Sequence, residues 1–173
     1  MNKVAVVIPN WNGKDSIGAC LDSLLNQSLK PLIIVVENGS TDGSLEFLRK
    51  DYSDVQIVVN QQNLGFAGGV NSGIRHAVDQ GCEFVALLNN DATVDREWLK
   101  QLVKTIGATD HIGIATSKIM SADKKHLDST GDMYTTWGLP YPRGRVEAVS
   151  RRYDTQKTIF AFSGGASSYR VEM

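Results

Sequence analysis

Short β-branched runs alternate with stretches of helical period through the first two thirds of the chain, and this alternation constrains the fold more than any other feature. "KVAVVI", "PLIIVV", "VQIVV" and "FVALL" read as strands, since such residues suit a pleated, buried surface. Between them Ile17, Cys20, Leu21, Leu24 and Leu25 fall at helical spacing. "SLEFLRK" is a short helix with Ser44 as its cap, and Val70, Ile74, Ala77 and Val78 share a face that Gly81 ends. "REWLKQLVKTIG" gives a further helix with Trp98, Leu99, Leu102, Val103 and Ile106 on one side, and "IGIATSKIM" returns as a strand. Parallel strands need crossovers, so the repeat predicts an α/β, Rossmann-like fold: a mostly parallel sheet with helices on both faces.

The chain has 173 residues, 42% of them hydrophobic, enough for the core of one domain over residues 1–173. From Ser121 the pattern dissolves into "DSTGDMYTTWGLPYPRGRVE", which predicts a long irregular or hairpin segment over one end of the sheet. A net charge of -1 provides no cationic field for nucleic acid. Cys20 and Cys82 lie far apart, without zinc-ligand spacing, and read as small apolar side chains in a reducing compartment. The apolar run before Pro9 is too short for a signal peptide or a membrane span.

In a doubly wound sheet the ligand sits beyond the carboxyl ends of the strands. Four consecutive strand ends here run into "PNWNG", "ENGSTDGS", "NQQNLGFAGG" and "NNDATVD", which supply Asn10, Asn12, Glu37, Asn38, Asp42, Asn63, Asn89, Asn90 and Asp91. Turns after strands use Asn, Asp, Gly and Ser anyway, but turn chemistry alone does not call for carboxylates repeated at one end of adjacent strands. Carboxylates and amides suit a base and a ribose. No Lys or Arg in these four stretches would clamp a phosphate, so a diphosphate would need a metal. Asp91 is a hard oxygen ligand suited to Mg²⁺ or Mn²⁺, or else an ordinary turn residue. In "NLGFAGGVNSG" the glycines Gly65, Gly68 and Gly69 do not make the dinucleotide fingerprint; anion binding and close packing are both open to that loop.

Other residues carry less. His76 reads as a helix-surface or packing residue and His126 as solvated. Trp11, Tyr134, Trp137 and Tyr141 lie in loops, where they either stack on a sugar or pack locally, and Arg143 and Arg145 are solvated or reach a phosphate.

"VAVVIPNWNG", "IIVVENGSTDGS", "NLGFAGGVNSGI" and "ALLNNDATVD" together resemble, in order and spacing, the family 2 glycosyltransferases, most closely the rhamnosyltransferase-like branch. The resemblance implies the GT-A fold and transfer of a sugar, rhamnose in that branch, from a nucleoside-diphosphate donor to a hydroxyl acceptor. The acceptor would be a glycan or lipid-linked glycan in cell-surface polysaccharide synthesis. It places Pro9, Asn10 and Asn12 against the nucleoside, Glu37 and Asp42 at base and ribose, and Asn38, Asn63, Gly65 and Phe66 in the donor site. The family's metal-binding Asp-x-Asp corresponds to Asn89-Asn90-Asp91, which makes Asp91 the metal ligand for Mg²⁺ or Mn²⁺. Glu37 departs from the family's usual Asp, and Asn89 from its first acid.

The family inverts the anomeric centre with an Asp or Glu base that lies beyond the segment matched by "FSGGASSYR". No residue here matches that base, so the catalytic residue is unassigned; Asp128, Asp132, Glu147 and Asp154 are candidates by default. The chain is therefore expected to be C-terminally incomplete, ending at Met173 where a helix would start. Residues 1–120 would form the nucleotide-sugar half and 121–173 the start of the acceptor side. The implied location is cytoplasmic, free or peripherally held at the inner membrane face. A noncatalytic nucleotide-sugar-binding domain on the same fold is the alternative. A nucleotidyltransferase would carry a basic, Gly-rich loop after its first strand, which "PNWNGKDS" lacks.

Overall fold

The computed structural model describes residues 3–172, so the helix expected to start at Met173 lies outside the described residues. Its central feature is a six-stranded sheet in the order β3-β2-β1-β4-β10-β5. The first four strands are β1 (Val4–Asn10), β2 (Leu32–Asn38), β3 (Gln56–Asn60) and β4 (Phe84–Leu88), paired in parallel. Helices α1 (Lys14–Leu25), α2 (Ser44–Asp51), α3 (Gly65–Asp79) and α4 (Trp98–Ile106) lie between and after them.

Alternate residues of each strand face opposite layers. Val6, Ile8, Val35, Ala86 and Leu88 meet Ile17, Leu21 and Leu24 of α1, Leu48 of α2, and Leu99 and Ile106 of α4. Ala5, Val7, Ile34, Val36, Val85 and Leu87 meet Val70 and Ala77 of α3 on the other side. β1, β2 and β4 are buried on both faces, which is why they read as continuous apolar runs.

The remaining strands are β5 (Ile114–Thr116), β6 (Ile119–Met120), β7 (Leu127–Ser129), β8 (Asp132–Tyr134), β9 (Pro140–Pro142) and β10 (Ala166–Arg170). "IGIATSKIM" is therefore two short strands in different sheets rather than one. β10 inserts antiparallel between β4 and β5, so β5 does not touch β4. β6–β7 and β8–β9 are two-stranded antiparallel pairs, of which β7, β8 and β9 fall in the segment expected to be irregular or hairpin.

Three local expectations change. Ser44 is the first residue of α2 rather than its cap; Gly43, with φ of 82°, precedes it, and the Ser44 hydroxyl donates to Glu37 instead. Leu25 and Val78, placed on apolar faces by their spacing, are 39% and 43% exposed, because each sits at the edge of a stripe whose centre already fills the interface. Arg143 is not free in solvent: its guanidinium donates to the Thr130 carbonyl and hydroxyl and lies 4.9 Å from the Tyr153 ring centre.

Candidate active site

The carboxyl ends of β2, β1 and β4 are neighbours in the sheet, and their polar residues join in one buried row. The Asn90 amide donates to Asn10 Oδ1 at 2.8 Å, and Asn10 Nδ2 donates to Glu37 Oε2 at 2.8 Å. Glu37 Oε2 also accepts from the Ser44 hydroxyl at 3.0 Å, and its Oε1 from the Ser40 amide at 3.1 Å. Asn10 is fully buried and Glu37 is 2% exposed, so the carboxylate expected at the base faces inward and organises the loops. A buried charge needs such hydrogen bonds.

Gly13 permits this row. A Cβ there would lie 2.0 Å from Asn90 Nδ2 and 2.3 Å from Asn10 Oδ1. The loops on either side are stitched by their backbones. Asn12, with φ of 51°, accepts from the Thr41 amide through Oδ1 at 2.8 Å, and its own amide donates to Ser40 Oγ at 2.9 Å. Asp42 accepts from the amides of Lys14 and Ser44 at 2.9 and 3.0 Å. Slight burial pushes the Asp42 carboxyl up, but the bonds from Lys14 and Ser44 outweigh it and hold it below the ordinary carboxylate value.

Asn38, 3% exposed, clamps the glycine-rich loop to the end of β2. Its Nδ2 donates to Asn63 Oδ1 and the Gly65 carbonyl, and its Oδ1 accepts from Asn60 Nδ2 and the Leu64 amide. The Gly65 amide donates to Asn63 Oδ1 at 2.8 Å and so is already used. Phe66 is 55% exposed and lies against Gly164, while the Asn89 amide donates to the Gly165 carbonyl at 3.0 Å. The segment leading into β10 thus forms the far wall of the same edge.

Pro9 is in β1 opposite Val36, and Asn89 and Asp91 are exposed. Among the described residues no hydrogen bond ties down the Asp91 side chain, and no three His, Cys, Asp or Glu residues gather as a metal cage. One free carboxylate at a strand tip fits a divalent cation shared with substrate phosphates better than an all-protein site. Asp91 is also close enough to act on Cys20. Burial, with the Asp91 charge adding to it, pushes that thiol up to about 12, so Cys20 stays a neutral core residue.

The structure brings the twelve residues from Pro9 to Asp91 to one edge; Asn90, Asn10 and Glu37 form one bonded group and Asn38, Asn63 and Gly65 another, meeting at the adjacent Glu37 and Asn38, while the side chains of Pro9, Phe66, Asn89 and Asp91 stand outside both. Sequence reasoning passed over Gly13, Ser40, Asn60 and Gly165. Their signal was position alone: each lies within three residues of a strand end or of a chosen polar residue. Of the four default base candidates, Asp154 pairs with Lys118 at 2.6 Å, Glu147 accepts from the Tyr153 hydroxyl at 2.7 Å and Asp128 lies 3.9 Å from Arg145, while Asp132 sits in β8 with its main chain bonded to Ala161. A concavity of about 800 Å³ runs along β5 between α4 and residues 153–162, and none of the twelve lines it.

Known proteins resemble this chain in sequence and in fold. The glycosyltransferase EpsJ of Bacillus subtilis is 38% identical over 98% of this chain and 58% of its own. The S. aureus TarS structure in complex with UDP-GlcNAc superposes with a TM-score of 0.57 at 25% identity, over 68% of this chain and 34% of that one. The mannosyltransferase PcManGT from Pyrobaculum calidifontis, in complex with GDP-Man and Mn²⁺, gives a TM-score of 0.63 at 19% identity, over 98% of this chain and 45% of its own. The chain spans 15% to 58% of the length of the curated relatives it matches. The fold is GT-A, and because the model of glycosyl transferase family 2 matches residues 5–173, the chain belongs to that family.

Proposed function

We propose that the chain supplies the donor site of a family 2 glycosyltransferase, which moves a sugar from a nucleoside diphosphate to a hydroxyl acceptor with inversion. The observation that carries this reading is the row Asn90–Asn10–Glu37–Ser44, which locks three strand ends into one polar edge and leaves Asp91 free at its tip. Relatives supply the ligand class: TarS is held with UDP-GlcNAc and PcManGT with GDP-Man and Mn²⁺.

In this reading residues 1–120 hold the donor and residues 121–173 begin the acceptor side, within a single domain. Asn12 and Asp42 organise the loops against the nucleoside, and Asn38, with Asn63, fixes the loop that carries Gly65 and Phe66. Asp91 would hold Mg²⁺ or Mn²⁺, with the Asn89 carbonyl oxygen as a neutral neighbour; the ion would offset charge on the departing diphosphate. The cleft along β5 presents Trp98, Phe160 and Phe162 to a glycan or lipid-linked glycan. Among the described residues no helix is long and apolar enough to cross a membrane, and peripheral attachment at the inner face is part of the proposal. The branch resemblance points to rhamnose as the donor sugar and to polysaccharide synthesis as the setting.

Titration calorimetry with thymidine, uridine and guanosine diphosphates in Mn²⁺ tests the reading. Binding of one of them in the micromolar range supports it, and tightest binding of the thymidine nucleotide supports the rhamnose assignment. No binding of any of the three by the folded chain would overturn the donor-site reading.

A further inference from the structure

The polarity of the buried row reaches the ligand side of the site. An ionised carboxylate only accepts hydrogen bonds. Glu37 takes donors from Ser40 and Ser44, and Asn10 must then turn its NH₂ group toward Oε2. That leaves the Asn10 carbonyl oxygen facing β4, where only a donor satisfies it. Asn90 accordingly gives its own NH₂ to Asn10 at 2.8 Å. The consequence falls on the other end of the Asn90 amide: Oδ1 is the atom left over, and among the described residues no donor bonds it. Asn90 is half-buried and directly precedes the exposed Asp91.

We propose that Glu37 and Asn10 are positioning residues that fix which atom Asn90 presents: a carbonyl oxygen, ready to accept from a hydroxyl of a nucleoside-diphosphate sugar beside the Asp91 carboxylate. The proposal rests on the donor-site reading above. It gives the buried Glu37 a part in recognition without contact with the ligand. Gly13 belongs to the same device, since any side chain there would enter the Asn10–Asn90 bond.

Glu37→Gln is the decisive change, because it keeps the shape and removes the charge. The Ser40 amide still needs an acceptor, so the new NH₂ group takes the side facing Asn10, and the row inverts. Asn10 then presents oxygen to residue 37, Asn90 presents oxygen to Asn10, and the Asn90 NH₂ points outward. Two measurements read this on the whole chain. Hydrogen exchange of the Asn90 side-chain amide, followed by NMR without ligand, should speed up in Glu37→Gln. Affinity for uridine diphosphate with Mn²⁺ should fall roughly tenfold, the effect of one misdirected hydrogen bond.

Asn90→Asp is the second arm, and it does not depend on whether Glu37→Gln folds. In the natural background it sets an oxygen against the Asn10 oxygen, and affinity should drop although a carboxylate has been added beside the cation. Combined with Glu37→Gln, the same substitution meets an inverted Asn10 NH₂, still shows an acceptor outward, and should restore affinity. A merely structural role gives additive losses instead. Additive losses, or a Glu37→Gln chain with unchanged amide exchange and affinity, would overturn the proposal. A natural chain that binds none of the nucleoside diphosphates overturns the donor-site reading, and the ligand-free exchange still decides whether Glu37 sets the polarity of Asn90.

Discussion

At Gly13 the main chain passes so close to Asn10 and Asn90 that a single methyl group cannot enter without breaking their bond. Gly13→Ala is expected to cost about 1–3 kcal/mol, the range for overpacking a filled interior. A fall in the urea midpoint at unchanged slope checks it; an unchanged midpoint would mean that the row is looser than its distances imply. Asp42 offers a titration instead. Its folded carboxyl lies below the ordinary value of 3.8, so its contribution is complete above that value and is lost as pH falls through the folded one. The stability difference between the natural chain and Asp42→Asn should be complete above about pH 4 and shrink only as the pH falls below it. A difference that persists unchanged into acid would show that the amide bonds to Lys14 and Ser44 do not depend on charge. Residue identities at the site were legible in the sequence, but orientation was not. Nothing in "VVENGS" says that Glu37 turns inward to three donors while Asp91, at the end of an equally apolar strand, stays free.

At the scale of elements, α3 packs on β1 and β2 through Gly73, where a Cβ would lie 2.4 Å from Val7 Cγ1 and 2.7 Å from Val36 Cγ2. Gly73→Ala improves helix propensity by up to about 1 kcal/mol, yet it must push α3 off the sheet. The packing term is expected to win, with net destabilisation of roughly 1–2 kcal/mol and weakened binding at the Asn38 loop that α3 carries. Thermal unfolding measures the first effect, and a raised melting temperature would reverse the assignment. The parallel half of the sheet was legible because β1, β2 and β4 are apolar on both faces and the helices between them keep a local spacing. β10 was not, since "ASSYR" has no apolar run. Its neighbours make it a strand: Ser167 is buried and bonds Tyr169 at 2.7 Å, and Ser168 is fully buried between β4 and β5. Tertiary context set that element, as it did the split of "IGIATSKIM".

For the whole molecule, two helix layers bury the strands and leave the carboxyl edge to polar residues, which is how one sheet serves both stability and recognition. The family was legible from four ordered motifs, whereas the cleft along β5 was not, because it is built from segments distant in sequence. If the strand ends make one site, Asp91 takes a cation together with a nucleoside diphosphate. Paramagnetic broadening by Mn²⁺ in the presence of uridine diphosphate reads the position of that cation. NMR signals of residues 89–91 should vanish first, followed by those of the adjoining loops. Residues at the opposite edge of the sheet should stay sharp, and Asp91→Ala should lose the effect. Broadening centred elsewhere, or undiminished in Asp91→Ala, would contradict a cation held at Asp91.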